Sequence, residues 1–321
     1  MSEGVNITMN GTQPSSCPGR DHTATKIGET FVYCLIFLVS LAGNTVIGII
    51  VYKTKTMRTP INFFIINMAM SDLLFPIFSI PRAIQMLYID SWLIGGPLGQ
   101  TLCKLAAFLP DVSALVSIQS LILVAVDRFG AVVFPLRCPL ISSKLCSFFV
   151  PATWIVAMTV LSPYLFAMKL YGYPGGLRCR RHWNEAFGES SFKNYCLSIL
   201  VVFIFIPFVL IATLYIIIFL KLKSQKIPGE QSTNAEKKHR QRERNVLNMA
   251  IAVVLGFAVC WLPVIIRYLI FFFASDFTMS CGFQYFSSVA FLMANTNCAI
   301  NPCICFSFSR NYREGLKALL T

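Results

Sequence analysis

The sequence predicts an all-α membrane protein, a bundle of seven transmembrane helices followed by a short amphipathic helix on the cytoplasmic side. Three observations carry that prediction. The 321 residues are 56% hydrophobic and 13% charged, with a mean hydropathy of +0.66, which leaves too little polar side chain to cover soluble domains of this size. Seven apolar runs are each long enough to cross roughly 30 Å of hydrocarbon, a distance that takes about 20 helical residues. Lysine and arginine collect on alternate connections between those runs.

The runs lie near 29–52, 61–88, 101–126, 146–169, 194–220, 246–273 and 282–306. Clusters such as TMRTP, IGGPLG and YPGG bound them and mark turns. None alternates polar with apolar residues as a lipid-facing barrel strand does, so each reads as a helix. The chain then divides into a tail over 1–28, a bundle over 29–306 with a third cytoplasmic loop at 221–245, and an amphipathic helix with the C-terminus over 307–321. Neither tails nor loops are long enough to bury a soluble core. Any function has to live in the bundle and its connections.

Orientation follows from the basic residues. Lys53, Lys55 and Arg58 follow the first run, Arg128, Arg137 and Lys144 surround the third-to-fourth connection, eight Lys and Arg lie between 221 and 244, and Arg310, Arg313 and Lys317 follow the seventh. The positive-inside rule puts these segments in the cytoplasm and the N-terminus outside. The net charge of +13 is therefore a topology signal. It implies no nucleic-acid partner, because no aromatic residues interleave with the basic ones. Asn6-Ile7-Thr8 and Asn10-Gly11-Thr12 are N-glycosylation sequons in a segment predicted to be extracellular. No cleavable signal precedes them, so the first helix is expected to direct its own insertion. After the seventh run, Phe308, Tyr312, Leu316 and Leu319 recur at helical spacing opposite Arg310, Arg313 and Lys317, which predicts a helix lying on the anionic inner leaflet of the lipid membrane.

An enzyme is not indicated. Only His22, His182 and His239 are available, all in tails or loops, and no nucleophile–base pair or metal set accompanies them. A transporter is the alternative class, but no internally repeated half is present.

The polar and punctuating residues inside the helices carry a resemblance over nearly the whole chain. Helix one has Gly43-Asn44, helix two NMAMSDLL with Asp72, and helix three runs from Cys103 to Asp127-Arg128-Phe129. Helix four has Trp154 and Pro163, and helix five has Pro207 followed by Tyr215. Helix six has FAVCWLP, with Phe257, Trp261 and Pro263, and helix seven NCAINPCIC, with Asn297, Asn301 and Pro302. In order and spacing these residues resemble a rhodopsin-like, class A G protein-coupled receptor.

Charge inside a membrane helix is costly unless it is paired or hydrated. Arg128 can pair with Asp127 and, at the base of helix six, with Glu243; the resemblance implies that this lock holds a resting state and that outward movement of helix six frees Arg128 for a heterotrimeric G protein. Read without the resemblance, Arg128 is an anchor that snorkels to the interface. Pro135 and Leu136 begin the second cytoplasmic loop, where the resemblance implies that Leu136 inserts into the G protein. A packed loop leucine is the plainer reading. Asp72 lies mid-membrane and has to be paired, solvated or protonated. The resemblance surrounds it with Ser117, Asn297 and Asn301 and an allosteric sodium ion; a polar knot without an ion satisfies the same residues. Ile118, Pro207 and Phe257 match the family's connector and Trp261 its toggle, and core packing is an equally economical role for each. No other cofactor is implied.

Two positions depart from the family pattern. Phe129 and Cys305 stand where tyrosines are usual, and a thiol at 305 is too short and too weak a donor to bridge to Tyr215. Cys103 and Cys179 match the family's extracellular disulfide, and Cys17 and Cys281, both predicted outside, resemble the second pair of chemokine receptors. The amine-binding aspartate of the family is replaced by Pro110, with Asp111 rotated by about 100°, and the retinal lysine by Asn295. Arg82, Gln85, Asp111, Arg267 and Tyr268 line the outer ends, together with Lys104 and the segment RCRRHWNEAFGE. Mixed charge and aromatics suit an extracellular peptide ligand. Snorkelling arginines, and a small non-peptide or lipid ligand, stay open as alternatives. Few hydroxyls beyond the bundle, chiefly Ser224, Ser232, Thr233 and Thr321, predict weak arrestin recruitment.

Overall fold

The computed structural model describes residues 22–89, 91–135, 140–188, 191–224, 234–273 and 280–320, with His22, Ser224, residues 234–240, Arg242 and Glu243 described by backbone alone. Asn6, Asn10, Cys17, Leu136, Ser232, Thr233 and Thr321 lie outside the described residues, as does the side chain of Glu243. Among the described residues, seven helices are long and apolar enough to cross a membrane. Helix one is His22–Lys53, helix two Pro60–Tyr88, helix three Gly96–Val133 and helix four Ser143–Leu161. Helix five runs through Ser191–Ile199, a π-helical turn at Leu200–Phe205, and Ile206–Ser224; helix six is Asn234–Phe273 and helix seven Cys281–Phe308. A last helix, Arg310–Leu320, packs its Tyr312 ring into the cytoplasmic end, where the hydroxyl donates to Asn62 Oδ1 at 2.9 Å.

Several boundaries differ from the sequence reading, among them that of helix one, which begins at His22 rather than 29. Helix three begins at Gly96 rather than 101, and helix six at Asn234 rather than 246, because hydropathy marks the edge of the hydrocarbon and not the end of the helix. Much of the expected loop over 221–245 is thus helical. Helix four stops at Leu161 rather than 169; a short turn, Pro163–Ala167, leads into an antiparallel hairpin of strands Met168–Tyr173 and Gly176–Arg181. A continuous apolar run does not separate helix from strand. The Tyr173-Pro174-Gly175-Gly176 turn, with Gly176 at φ 124°, closes the hairpin at a residue without a Cβ.

The hairpin is strapped to the bundle on both edges. Cys103 is disulfide-bonded to Cys179, with Cα atoms 5.6 Å apart. Gln100, one turn earlier on helix three, accepts from Leu170 N at 2.8 Å and donates to Met168 O at 3.1 Å. On the other edge Trp92 N donates to Leu177 O at 2.7 Å. Cys281, at the start of helix seven, is also disulfide-bonded.

Proline shapes the interior. A proline within a helix removes the N–H that would bond the carbonyl four residues earlier, and in lipid a carbonyl left without a donor is expensive. Pro302 frees the Cys298 carbonyl, and Asn44 Nδ2 donates to it at 2.9 Å. Pro76 frees the Asp72 carbonyl, and Ser40 Oγ donates to it at 2.9 Å. Ser40 and Asn44 are one turn apart on helix one, so a single helix face satisfies the kinks of helices two and seven. Gly43 permits that approach: a Cβ there would lie 2.6 Å from Pro302 Cβ.

Candidate functional site

Three polar or aromatic layers stack along the bundle axis. The outermost is a cluster of charged and aromatic residues at the hairpin end. Asp111 lies on helix three eight residues, about 12 Å of helix, below Cys103. The charges acting on it are those of Arg82 on helix two and Arg181 on the second strand. Tyr164, Tyr195 and Tyr268 all feel the Asp111 charge, so helices two, three, five and six, the turn after helix four and the hairpin converge on this point. Arg267 Nε donates to Ser287 Oγ at 3.2 Å and its guanidinium lies 4.7 Å from the Phe291 ring centre. Tyr268 stacks on Phe272 at 6.3 Å. Gln85 is turned outward instead: its amide donates to the Ser91 carbonyl, which makes it a brace for the first extracellular connection.

Trp183 roofs one side. It is 5% exposed, donates from Nε1 to Ser191 Oγ at 2.8 Å, and packs against Tyr195 at 4.6 Å, Phe192 at 5.3 Å and Tyr164 at 5.8 Å. Tyr164, Trp183 and Tyr195 are the residues the sequence reading did not single out as site residues. They come from three separate elements, and their one advance signal is the aromatic content of the segments around Pro163 and 183–195.

Below the pocket, Trp261 stacks on Phe257 at 5.8 Å and meets Phe75 edge-on at 6.3 Å. Phe257, Ile118 and Ile211 are buried in one cluster. Pro207 is buried, but the ring contact to Phe257 comes from its neighbour Phe208, at 5.9 Å. The connector residues are thus brought together around Phe257, with Pro207 acting on the backbone of helix five.

The middle layer centres on Asp72, which is 1% exposed. Asn301 Nδ2 donates to its carboxylate at 2.7 Å, the Ser117 hydroxyl acts on the same carboxylate, and Ser117 Oγ lies 2.8 Å from Ser71 Oγ. Asn297 is buried one turn away from Asn301 on helix seven. The side-chain oxygens of Asn297 and Asn301 are buried without a hydrogen-bond partner among the described residues. Free oxygens beside a carboxylate suit a hard cation, so the residues present fit a sodium ion.

At the cytoplasmic end Arg128 pairs with Asp127, its Nε donating to Oδ2 at 3.1 Å. Pro135 lies in the turn that follows helix three. The Tyr215 hydroxyl is buried without a hydrogen-bond partner among the described residues, and Arg128 is the charge that acts on it. Cys305, 2% exposed, borders an apolar cavity lined also by Ile65, Met68, Leu121 and Val253. A thiol there leaves unfilled the space that a larger side chain would occupy.

Comparison with known proteins gives the family. The chain is 34% identical to a QRFP-like peptide receptor of Branchiostoma floridae over 238 residues, 72% of this chain and 61% of that protein. It is 28% identical to the substance-K receptor of Homo sapiens over 287 residues, 89% of this chain and 70% of that one. It is 27% identical to the RYamide receptor of Drosophila melanogaster over 300 residues, 92% of this chain and 63% of that one. The chain thus spans less than two thirds of the length of the first and third of these relatives. A model of the 7 transmembrane receptor (rhodopsin family) matches residues 43–304, from the glycine that seats helix one on Pro302 to the residue before Cys305. Seven spanning helices, the Asp72 layer and that match together make the chain a multi-pass membrane protein and a receptor rather than an enzyme, and it belongs to the rhodopsin family of seven-transmembrane receptors.

Proposed function

We propose that this receptor sits in the plasma membrane with its N-terminus outside, binds an extracellular peptide in the pocket around Asp111, and activates heterotrimeric G proteins when helix six moves outward. The observation that carries the ligand class is mixed charge beside an aromatic wall: Arg82 and Arg181 act on Asp111, Tyr164 and Tyr195 feel the Asp111 charge, and Trp183 packs against both tyrosines. Such a site offers a peptide both charged hydrogen bonds and ring surface. That one relative is named a peptide receptor and another an RYamide receptor supports the same class.

Ligand entering from outside presses on a pocket whose floor is Trp261. Its ring is stacked on Phe257, and Phe257 packs against Ile118 and Ile211, so a shift at the floor is felt by helices three, five and six together. At the cytoplasmic end Asp127 holds Arg128, and Glu243, near the base of helix six, adds to that lock. Release of Arg128 and exposure of the loop at Pro135 and Leu136 form the G protein surface. A sodium ion held by Asp72, Ser117, Asn297 and Asn301 would favour the resting arrangement by neutralising the buried carboxylate.

The experiment is guanine-nucleotide exchange in membranes carrying the chain, driven by a synthetic peptide library. Exchange with some peptides and not with chain-free membranes is the expected result. Silence to peptides alongside a response to a small-molecule or lipid library would replace the peptide with that class.

A further inference from the structure

We infer that the ligand presents a carboxylate to Arg82. The inference rests on the peptide reading above and narrows it to one chemical group at one side chain.

Around Asp111 the charges do not balance. Arg82 and Arg181 both act on its single carboxylate, and Arg267 stands nearby beside Tyr268. The three guanidinium groups are engaged to different degrees. The Arg181 guanidinium lies over the Phe192 ring, 3.3 Å from its centre. Arg267 is held by Ser287 Oγ at 3.2 Å and rests against the rings of Phe291 and Tyr268. Arg82 has no hydrogen bond, ion pair or ring contact among the described residues, and Asp111 acts on it only from beyond ion-pair distance.

Arg82 is also placed where an unused guanidinium is costly. It is six residues, about 9 Å of helix, inside the outer end of helix two, and it is partly buried. A guanidinium at that depth without an acceptor calls for one. Asp111 makes no ion pair with it, and the same carboxylate also feels Arg181 from the hairpin. The group that fits a planar fork of N–H donors is a carboxylate, which accepts two of them at once. In a peptide it comes from a free C-terminus or from an Asp or Glu side chain. The tyrosines around Asp111 then take the ligand's neighbouring side chain.

The test uses the full chain in membranes and two pools of random octapeptides, identical except that one has free C-terminal carboxylates and the other C-terminal amides, with nucleotide exchange as the readout. Active peptides are then remade with the C-terminus amidated, or with each Asp and Glu changed singly to Asn and Gln. One of those neutralisations is expected to lower potency about ten- to a hundredfold, the range of a charged hydrogen bond. In Arg82→Gln the same neutralisation should have almost no effect, and in Arg82→Lys, which keeps the charge without the fork, an intermediate one. Surface labelling checks that both variants reach the membrane, and Arg82→Lys alone decides if Arg82→Gln does not. A neutralisation that costs potency when the C-terminus is amidated, and not at any side chain, identifies the terminus as the source; the reverse pattern identifies a side chain. Active peptides indifferent to every neutralisation would overturn the inference and leave the peptide reading standing. A penalty undiminished in the Arg82 variants would also overturn it. Silence in both pools would remove the peptide reading and this inference together.

Discussion

Asn301 on helix seven donates to the Asp72 carboxylate on helix two at 2.7 Å, while its own side-chain oxygen is buried without a partner. One residue thereby links two helices and leaves an acceptor facing no donor. The layer holds two buried side-chain oxygens, of Asn297 and Asn301, without a donor among the described residues, the condition a cation relieves.

Asp72→Asn therefore separates an ion site from a polar knot. We expect agonist affinity at the wild-type receptor to fall when sodium replaces a bulky organic cation, and Asp72→Asn to remove that dependence. Agonist titrations in the two salts measure it. A wild-type receptor indifferent to sodium would favour the knot.

Arg128→Ala is expected to abolish agonist-driven nucleotide exchange while surface expression and ligand binding persist, because Arg128 sits at the far end of the bundle from the pocket and its described ion-pair partner is the adjacent Asp127. Removal of the paired acid, in Asp127→Asn, should act in the opposite direction and raise basal exchange at matched expression. Equal exchange by wild type and Arg128→Ala would sink the coupling role.

Gly43→Ala tests the seating of helix one. The added methyl meets Pro302 Cβ at 2.6 Å, and a proline ring in a kinked helix cannot swing aside. Overpacking costs about 1–3 kcal/mol, against a gain of about 1 kcal/mol in helix propensity; with both contacting atoms in the ring, the upper half of that cost applies. A lower melting temperature in detergent is the expected outcome, and an unchanged one would show that helix one has room to retreat.

The hairpin offers a pH test outside the membrane. Glu185 is held below the usual glutamate range, first by the hydrogen bond from Lys169 and then by that from His182, at 2.6 Å and 2.8 Å. A carboxyl with a depressed pKa stabilises the fold above its unfolded value and loses that contribution as the pH falls through its folded value. Glu185→Gln should thus speed backbone hydrogen exchange over residues 168–182 at neutral pH. Below the glutamate range wild type and variant should exchange alike. A difference that persists in acid would mean that the side chain acts by packing.

The seven spans were legible because lipid imposes a single composition on any helix that crosses it, and the Asp72 and Arg128 layers were legible because polar groups inside such helices are few. The hairpin was harder. Its first strand overlaps the run read as helix four only at Met168 and Lys169, and Tyr173-Pro174-Gly175-Gly176 carried the turn signal, but a continuous apolar run does not show where helix gives way to strand. The pocket was half legible. Asp111, Arg82 and Arg267 stand out as charges, whereas Tyr164, Trp183 and Tyr195 become a wall only when three elements meet. Gln85 looked like a pocket residue because side-chain chemistry alone gives no direction, and its amide points to Ser91. The π-helical turn left no mark in the run Leu200–Phe205, six apolar residues like their neighbours.

That turn divides helix five into two halves with independent registers. A π turn holds one residue more than the α-helical turn it replaces, so it sets Tyr195 and Cys196 about 100° away from where an unbroken α-helix of the same sequence would put them relative to Tyr215. The helix works like a vernier. Conversion of that turn between π and α geometry would turn the outer half of the helix by one residue's angle while the cytoplasmic half kept its packing.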